Sequence, residues 1–316
     1  MAYEDMLMTK AAWYYYFEGM TQQQVADMMG IHRMRVVKLL EAAKQNGVIR
    51  FQLRKDSEDR MHLERTLMKR YGLRDAFLVP SAGSPELVDA GVAEAASMYI
   101  RDRLGENSFI NIGYGNTPSR ILNNLATITE HPLHCISLTG GVSYYLPDVR
   151  SNVFNAHLHL IPSPLFTSSR EMAEAMRQEV SVTEVTRLIS LAEISVVGIG
   201  AMDENATIFR TGILSPSDRM YLQMRGAMGD ILSHFFDGEG RLIHTPLEDR
   251  LVSTGLDTLR QLKNVIGVAA GSRKAEAIHA ALLTGTLDVL ITDMGTAEQV
   301  LGMEETPSSV TELAAR

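Results

Sequence analysis

The sequence predicts an α/β fold in which an N-terminal winged helix-turn-helix precedes a larger domain with a Rossmann-like parallel sheet. Two observations predict it: three short helical segments with a glycine turn open the chain, and short apolar runs then alternate with helical segments. The length of 316 residues also exceeds the usual size of a single core. We therefore expect a small helical domain over residues 1–55 and a larger domain over residues 56–316.

The first domain consists of three helical segments. The aromatic segment 11–17 ends before Gly19, which can stop a helix, and Thr21 can cap the second segment, TQQQVADMM. Gly30 can adopt the positive φ of a tight turn before the third segment, RMRVVKLLEAAKQN. This plan is that of a helix-turn-helix, and the alternating segment VIRFQLR predicts a short strand as a wing. Apolar or small side chains stand where the second and third helices must pack: Val25, Ala26, Met29, Ile31, Val36 and Leu39.

The outward face of the third helix is basic. Arginine can reach base edges in the major groove, while lysine and histidine can hold phosphates. The stretch 9–55 has eight basic and three acidic residues, a net charge of +5, whereas the whole chain carries −8. We therefore expect this domain to bind double-stranded DNA; the alternative is a small helical bundle whose basic face is only solvated. The predicted DNA-binding residues are Thr21, Gln22, His32, Arg33, Arg35 and Lys38.

The composition excludes several other classes of protein. The 45% hydrophobic and 22% charged fractions are those of a globular chain. The single cysteine, Cys135, excludes an intramolecular disulfide framework and a thiolate metal cluster. The start MAYEDMLMTK lacks the basic and then apolar regions of a signal peptide. The most continuous apolar stretch, 189–202, is interrupted by Glu193 and is shorter than the roughly 20 residues of a membrane span. We expect a cytoplasmic protein that does not contact a membrane.

The second domain contains short apolar runs that alternate with helical segments. Most of these runs end in Gly, Pro, Ser or Thr and are followed by a helical period. Such repeated units predict a parallel sheet with helices on both faces, and ligands of such sheets bind at the carboxyl ends of the strands. Before them, the charged segment 56–70 predicts a helix that links the domains or supports dimer contacts. The predicted strands are 76–80, 109–115, 134–141, 158–164, 193–201, 264–271 and 287–295.

Three strand-to-helix turns of this domain can hold an anion. The turn 113–117 has two glycines and enters a helix, so its N–H groups can face a phosphate. The turn 168–170 opens a helix with two hydroxyls and a cation, and the turn 271–274 ends with Lys274. Each turn alone is more often only a feature of geometry, but the three together favour a phosphorylated small molecule. The first turn lacks the third glycine of the dinucleotide fingerprint.

Three acids and a pair of histidines also call for an interpretation. Asp237 follows the segment GAMGDILSHFF, which we expect to be a helix, and it either binds sugar hydroxyls or lies in a surface turn. Asp230 precedes it by one or two helical turns. Asp293 is either a base or the N-cap of the next helix. His157 and His159 alternate on one strand, but no carboxylate stands at a metal-site spacing, so we expect no metal and no other cofactor.

Both domains resemble one family, the SorC-type (DeoR-related) bacterial sugar-responsive regulators. The first domain resembles their helix-turn-helix through AAWYYYFEGMTQQQVADMMGIHRMRVVKLLEAAKQNGVI. Within the family the chain is most similar to the branch that includes the regulator of autoinducer-2 uptake. The second domain resembles their sugar-binding domain through SLTGGV (137–142), VVGIGAMDENATIFRTG (196–212), GAMGDILSHFFDGEG (226–240), GVAAGSRKAEAI (267–278) and LITDMGTA (290–297).

The resemblance implies a second domain that is related in fold to sugar-phosphate isomerases and deaminases but binds its ligand without turning it over. It also implies oligomers, commonly tetramers, that bind DNA through paired first domains. The recognition helix departs from the commoner family pattern, because it carries His32 and Met34 where Ser or Thr is frequent. Carried over by position, the effector site comprises Gly115, Asn116, Thr117, Ser168, Ser169, Arg170, Arg210, Asp237 and Lys274.

The predicted function is therefore that of a non-enzymatic transcriptional regulator of a sugar or polyol operon. Its predicted partners are operator DNA, a phosphorylated sugar or polyol, and further copies of the chain in a homodimer or homotetramer. The alternative is a sugar-phosphate isomerase or deaminase with an accessory helical domain. Turnover of sugar phosphates would favour the enzyme, and saturable binding without product would favour the regulator.

Overall fold

The computed structural model describes residues 2–50, 54–145 and 155–303 of the chain. The chain forms two compact units, Met1–Glu58 and Asp59–Arg316. The division between them falls within the helix Lys55–Tyr71, a few residues beyond the domain boundary expected after residue 55. In the part of the chain that the structure describes, no helix combines the length and the apolar character that crossing a membrane requires.

The first unit is a small helical bundle. Its elements are α1 (Ala2–Ala12), a π-helical turn that continues it (Trp13–Phe17), α2 (Gln22–Met29) and α3 (Arg33–Gln45). Helices this short are marginal in water by themselves, so their packing on one another stabilises them. The helices share one buried apolar core, which consists of Met8, Ala11, Ala12, Val25, Ala26, Val36, Leu39, Leu40 and Ala43.

Two residues determine how α2 begins and ends. Thr21 Oγ1 accepts a hydrogen bond from Gln24 N at 3.3 Å, and Gln24 Oε1 accepts one from Thr21 N at 2.8 Å, so the two residues form a capping box. Gly30 ends α2 with a φ of 66°, a conformation that glycine adopts without steric cost. Both predictions are confirmed. Of the predicted wing, 48–50 form no strand and 51–53 lie outside the described residues.

The second unit alternates strands and helices along the chain. Its strands are β1 (Asp75–Val79), β2 (Phe109–Ile112), β3 (Leu133–Ser137), β4 (Ala156–His159), β5 (Ile194–Gly198), β6 (Gly200–Ala201), β7 (Gly229–Ile231), β8 (His234–Phe236), β9 (Val265–Val268) and β10 (Val289–Asp293). Its helices are α4 (Lys55–Tyr71), α5 (Pro85–Arg101), α6 (Asn116–Ile128), α7 (Arg170–Gln178), α8 (Val180–Leu188), α9 (Thr207–Arg210), α10 (Pro216–Met224), α11 (Pro246–Asp249), α12 (Leu256–Gln261), α13 (Ala275–Leu283) and α14 (Met294–Gly302).

Seven of the strands form one parallel sheet in the order β1-β10-β9-β5-β2-β3-β4. In its centre, Ile110 of β2 lies between Ile194 of β5 and Cys135 of β3. Each of the seven apolar runs in the sequence supplies one of these strands, so the predicted parallel sheet is confirmed. The chain order reverses between β2 and β5: β3 and β4 extend the sheet to one side, whereas β9 and β10 extend it to the other.

Helices cover both faces of this sheet. Val289 and Ile291 of β10 belong to an apolar cluster with residues of α5 and α6, whereas Leu290 between them belongs to a second cluster with residues of α13. All three side chains are buried. Because a strand of this kind is covered on both sides, its sequence is a continuous apolar run rather than an alternating one.

The segment GAMGDILSHFF is not the helix that the sequence analysis expected. It contains the antiparallel hairpin β7–β8, in which Asp230 pairs with Phe235. The two-residue turn consists of Leu232 and Ser233, whose φ values are 55° and 67°. β6 pairs with β7 and completes a three-stranded sheet. The hairpin strands are entirely buried, so no alternation marks them, and periodicity cannot distinguish such an apolar run from a buried helix.

Candidate functional site

A cavity of about 680 Å³ lies at the carboxyl ends of the central strands. The segment that follows β2 and the end of β5 contribute to it, and these two strands are the neighbours between which the chain order reverses. Ligands of open parallel sheets bind at this position, and the volume is in the range of small-molecule sites. The segments at and after the strand ends supply most of its lining: 81–86 after β1, 114–118 after β2, 198–201 at the end of β5, 270–274 after β9, and 293, 295 and 296 at the end of β10.

A helix N-terminus and basic side chains line the cavity together. α6 has 13 residues, and its N-cap, Gly115, has no side chain that could accept its first N–H groups. Those groups carry the positive end of the helix dipole, which favours an anion. Arg210 of α9, and Arg273 and Lys274 of the turn before α13, line the same cavity. Among the described residues, none of these three bases forms an ion pair, so each is available to a negatively charged ligand.

Asp230 is the buried acid of the cavity. The residue is only 6% exposed, and its Oδ2 accepts a hydrogen bond from Ser233 N at 3.0 Å across the hairpin turn. Burial raises the pKa of Asp230 to about 6, although this hydrogen bond and the charge of Lys274 act in the opposite direction. A carboxylate in this position is an acceptor for ligand hydroxyls.

Gly200 provides the space for the Asp230 carboxylate. β6 and β7 pair Gly200 with Asp230, and a Cβ built on Gly200 would overlap Oδ1 of the carboxylate. Only glycine therefore fits beside Asp230 in this arrangement. With a helix expected over this segment, Asp230 stands only as a neighbour of Asp237, whereas the hairpin places it in the cavity.

Asp293 has a structural role at the same end of the sheet. Its Oδ2 accepts hydrogen bonds from Thr296 N at 3.2 Å and Ser81 Oγ at 2.8 Å, and its Oδ1 accepts one from Gly271 N at 3.2 Å. Burial acts to raise the pKa of Asp293, but these hydrogen bonds outweigh it and hold the pKa below its usual value. Of the two alternatives for this residue, the structure has the N-cap, here of α14.

The cavity brings together five of the nine effector residues that the resemblance implied. These are Gly115, Asn116, Thr117, Arg210 and Lys274, and Thr117 is buried. They belong to three segments that are far apart in the sequence: 115–117 at the start of α6, Arg210 at the end of α9, and Lys274 in the turn before α13. The other four, Ser168, Ser169, Arg170 and Asp237, are not among its lining residues.

Ser168, Ser169 and Arg170 follow β4, the outermost strand, which β3 separates from β2. Ser169 is the N-cap of α7, since its Oγ accepts a hydrogen bond from Met172 N at 3.2 Å. Arg170 forms an ion pair with Glu174 at 2.9 Å, and its side chain is 64% exposed. In this structure these groups begin α7 rather than line the cavity.

Asp237 lies in the turn that follows β8. Its Oδ1 accepts hydrogen bonds from Glu239 N at 2.9 Å and Arg241 N at 3.0 Å, and its Oδ2 accepts one from Arg241 Nε at 2.9 Å. Burial acts to raise the pKa of Asp237, but these hydrogen bonds outweigh it and lower the pKa. The carboxylate therefore stabilises its own turn, which is the second of the two alternatives that the sequence left open.

The two histidines of β4 belong to an aromatic stack. His134 of β3 stacks on Phe109 with ring centroids 4.6 Å apart, and on His157 with centroids 5.0 Å apart. The ring nitrogens His134 Nδ1 and His159 Nε2 are 3.1 Å apart. The described residues contain no cluster of His, Cys, Asp or Glu side chains that could hold a metal ion.

The exposed face of α3 carries all four basic residues that the sequence analysis assigned to it: His32, Arg33, Arg35 and Lys38. Gln22 of α2 lies beside this face, since its Oε1 accepts a hydrogen bond from Arg33 Nη2 at 3.4 Å. Thr21 is engaged as the cap of α2. The face is compatible with a groove-reading helix, because basic side chains project from it without being buried.

Comparison with known proteins assigns the chain to a family. The family described as "Putative sugar-binding domain" matches residues 55–302. The transcriptional regulator LsrR of Klebsiella pneumoniae is 34% identical over 304 residues, which are 95% of this chain and 94% of that protein. The transcriptional regulator LsrR of Escherichia coli K12 is 30% identical over 302 residues, 94% of this chain and 95% of that protein.

A solved structure extends the comparison to the whole chain. The full-length sorbitol operon regulator SorC from Klebsiella pneumoniae superposes with a TM-score of 0.67 at 26% sequence identity, over 94% of this chain and 98% of that one. The relatives and this structural neighbour are thus transcriptional regulators, as the sequence resemblance implied. The chain belongs to the SorC/DeoR family of sugar-binding transcriptional regulators.

Proposed function

We propose that this protein regulates an operon for the uptake or catabolism of a sugar or polyol, and that a phosphorylated sugar or polyol bound in the cavity controls its affinity for operator DNA. The observation that carries the proposal is the presence, in one chain, of an exposed basic α3 and of a cavity that offers both anion-binding groups and a buried acid. Because the proposed partner is operator DNA, we propose that the protein acts in the cytoplasm.

Double-stranded DNA is the partner that suits α3. Arg33 and Arg35 are exposed near its start, where a recognition helix contacts base edges, and Lys38 follows one turn later. Arginine forms two hydrogen bonds with guanine, and each neutralised phosphate releases counterions. We therefore assign base contacts to the arginines, phosphate contacts to Lys38 and His32, and backbone contacts to Thr21 and Gln22 at the N-terminus of α2.

A sugar phosphate suits the cavity because its two ends need different partners. The dianion is assigned to the N-terminus of α6, at Gly115, Asn116 and Thr117, together with Lys274. The hydroxyls are assigned to Asp230, which replaces Asp237 in this role, and Arg210 completes the lining. Ser168, Ser169 and Arg170 stay outside the proposed site because they begin α7.

The proposal includes binding without turnover. An isomerase or deaminase needs a base with a suitable pKa beside the substrate. Asp293 is a poor candidate for that base, because hydrogen bonds occupy both of its carboxylate oxygens and lower its pKa. Asp230, with a pKa of about 6, is the acid that could transfer a proton, so it is the group on which an enzyme would depend. A product assay with sugar phosphates is therefore part of the test.

We further propose that the chain acts as a dimer or tetramer. One helix-turn-helix contacts too few bases for a specific affinity, whereas two would read half-sites about one helical turn apart. The supporting observation is an exposed apolar face on α1 and the turn after it, where Tyr3, Met6, Trp13 and Phe17 are between 53% and 73% exposed. Their spacings of three, seven and four residues correspond to about one, two and one helical turns, which places them on one side of the helix.

The experiment uses a duplex that the protein selects from a random-sequence pool, together with a shuffled duplex of the same composition. We expect tight binding to the selected duplex, steep salt dependence, and loss of binding in the folded triple variant R33A/R35A/K38A. Phosphorylated sugars should raise the unfolding temperature and change DNA affinity without product formation. Unchanged affinity of the triple variant, or product formation from a sugar phosphate, would overturn the proposal.

A further inference from the structure

We infer that Glu4 of α1 is a specificity-determining residue for DNA recognition, which acts by positioning the Arg35 guanidinium on α3. The inference rests on the proposed function, because it assigns a role within the DNA-binding face. Arg35 Nη2 and Glu4 Oε1 are 2.8 Å apart, and the two residues are 31 positions apart in the sequence. The contact therefore connects α1 to the start of α3 and is not a local pair within one helix.

Arg35 is distinguished from the other bases of this face by its partner. Arg33 donates to the neutral amide of Gln22 at 3.4 Å, and Lys38 has no ion pair among the described residues. Of the three, Arg35 alone contacts a carboxylate in the part of the chain that the structure describes. The pair is open to solvent, with side-chain exposures of 52% for Arg35 and 57% for Glu4, so it contributes little to folding stability. The pair instead restricts the direction in which the Arg35 guanidinium points.

One contact leaves most of the guanidinium free for DNA. Arginine has five N–H donors, and Glu4 accepts from Nη2 only, so Arg35 can still form two hydrogen bonds with a base edge. Because side-chain freedom is already reduced by the Glu4 contact, less entropy is lost when Arg35 docks on that base. The preorganised conformation therefore favours the cognate base.

The negative charge of Glu4 has the opposite effect on non-specific binding. Phosphates attract any free arginine, and a carboxylate next to Arg35 reduces the positive field that this arginine offers to the DNA backbone. Glu4 thus strengthens the base-specific contact and weakens the phosphate contact that every sequence provides. Both effects raise the ratio of the affinity for the selected duplex to the affinity for a shuffled duplex.

The test compares E4Q with D5N, which has the same change in net charge on the adjacent residue. Asp5 has no ion pair with α3 among the described residues, so D5N is the matched control. Both duplex affinities are measured for each variant over a range of salt concentrations, together with the unfolding temperature. We expect E4Q to lower the affinity ratio by about two- to five-fold with unchanged unfolding temperature, and D5N to leave the ratio unchanged.

A double-mutant cycle identifies the residue through which Glu4 acts. In the R35A background, E4Q should have no further effect on the ratio, because the guanidinium that it positions is absent. An unchanged ratio in E4Q, an equal decrease in D5N, or a full effect of E4Q in the R35A background would each overturn the inference. Failure of the proposed function is distinct from these results, since the wild-type protein would then not discriminate between the two duplexes at all.

Discussion

The carboxylate of Asp230 occupies the space beside Gly200 that a side chain at position 200 would need. The two residues pair across β6 and β7, so the small antiparallel sheet holds the buried acid against the cavity. The proposed effector site therefore requires glycine at position 200. This requirement can be tested without changing any group that is proposed to bind the ligand.

We expect G200A to lower effector affinity by at least about ten-fold, because its Cβ must displace the carboxylate that accepts the ligand hydroxyls. Isothermal titration with the sugar phosphate that gives the largest thermal shift measures the effect. G255A is the matched control, since a Cβ at position 255 meets no atom within 4 Å. Equal affinities for G200A and the wild-type protein would contradict the placement of Asp230 in the site.

The raised pKa of Asp230 predicts a pH dependence of stability with a defined sign. The folded protein holds this proton more tightly than the unfolded chain, whose pKa is near 3.8. The protonated side chain therefore contributes its full stabilisation of the folded state below pH 3.8, and this stabilisation is lost as the pH rises through about 6. D230N cannot ionise, so its free energy of unfolding should exceed that of the wild type by roughly 1–3 kcal/mol at pH 7.5. The difference should disappear near pH 4.

Chemical denaturation of both proteins across this pH range provides the measurement. D237N is the control, and the expected effect has the opposite sign. The pKa of Asp237 is lowered in the folded protein, so the ionised side chain stabilises the folded state at pH values above the usual pKa of an aspartate, and this stabilisation is lost as the pH falls. D237N should therefore be less stable than the wild type at pH 7.5. A D230N protein that is less stable than the wild type at that pH would show that Asp230 is not penalised by burial.

The assignment of the phosphate site can be tested by a pair of variants. K274A should reduce affinity for the phosphorylated effector by about 10- to 150-fold, because it removes a charge-assisted hydrogen bond, and should leave DNA binding without effector nearly unchanged. R170A should bind the effector normally, since Arg170 pairs with Glu174 outside the cavity. Calorimetry measures both affinities. A loss in R170A with normal binding in K274A would place the phosphate at the turn 168–170 and would overturn its assignment to the cavity.

The apolar face of α1 predicts a role in self-association. Analytical ultracentrifugation at micromolar concentration should show a dimer or a larger species of the wild-type chain. W13A/F17A should weaken cooperative binding to paired half-sites by about ten-fold or more, since large aromatic side chains dominate interface energies. M28A, which removes another exposed apolar side chain of the same unit, is the control. A monomer that still binds the selected duplex tightly would refute the proposed dimer.

Local signals in the sequence were sufficient wherever neighbours along the chain determine the structure. Thr21 and Gly30 delimit α2 through contacts within one turn, and the seven apolar runs form strands because covered parallel strands need continuous apolar sequence. The basic face of α3 follows from helical periodicity alone. The same reasoning failed at β7 and β8, where a short, fully buried segment carries no periodicity that separates a hairpin from a helix.

The sequence by itself determined the class of fold, the helix-turn-helix, and the set of strand ends where a ligand could bind. Only the tertiary structure decided which strand ends meet, because strand order depends on pairings between distant segments that no local pattern encodes. It brings Asp230 and Lys274 to the cavity at the ends of the central strands, and it leaves Arg170 outside the lining of that cavity. The contact of Glu4 with Arg35 arises in the same way, since packing of α1 on α3 joins residues whose separation in the sequence has no relation to their distance in space.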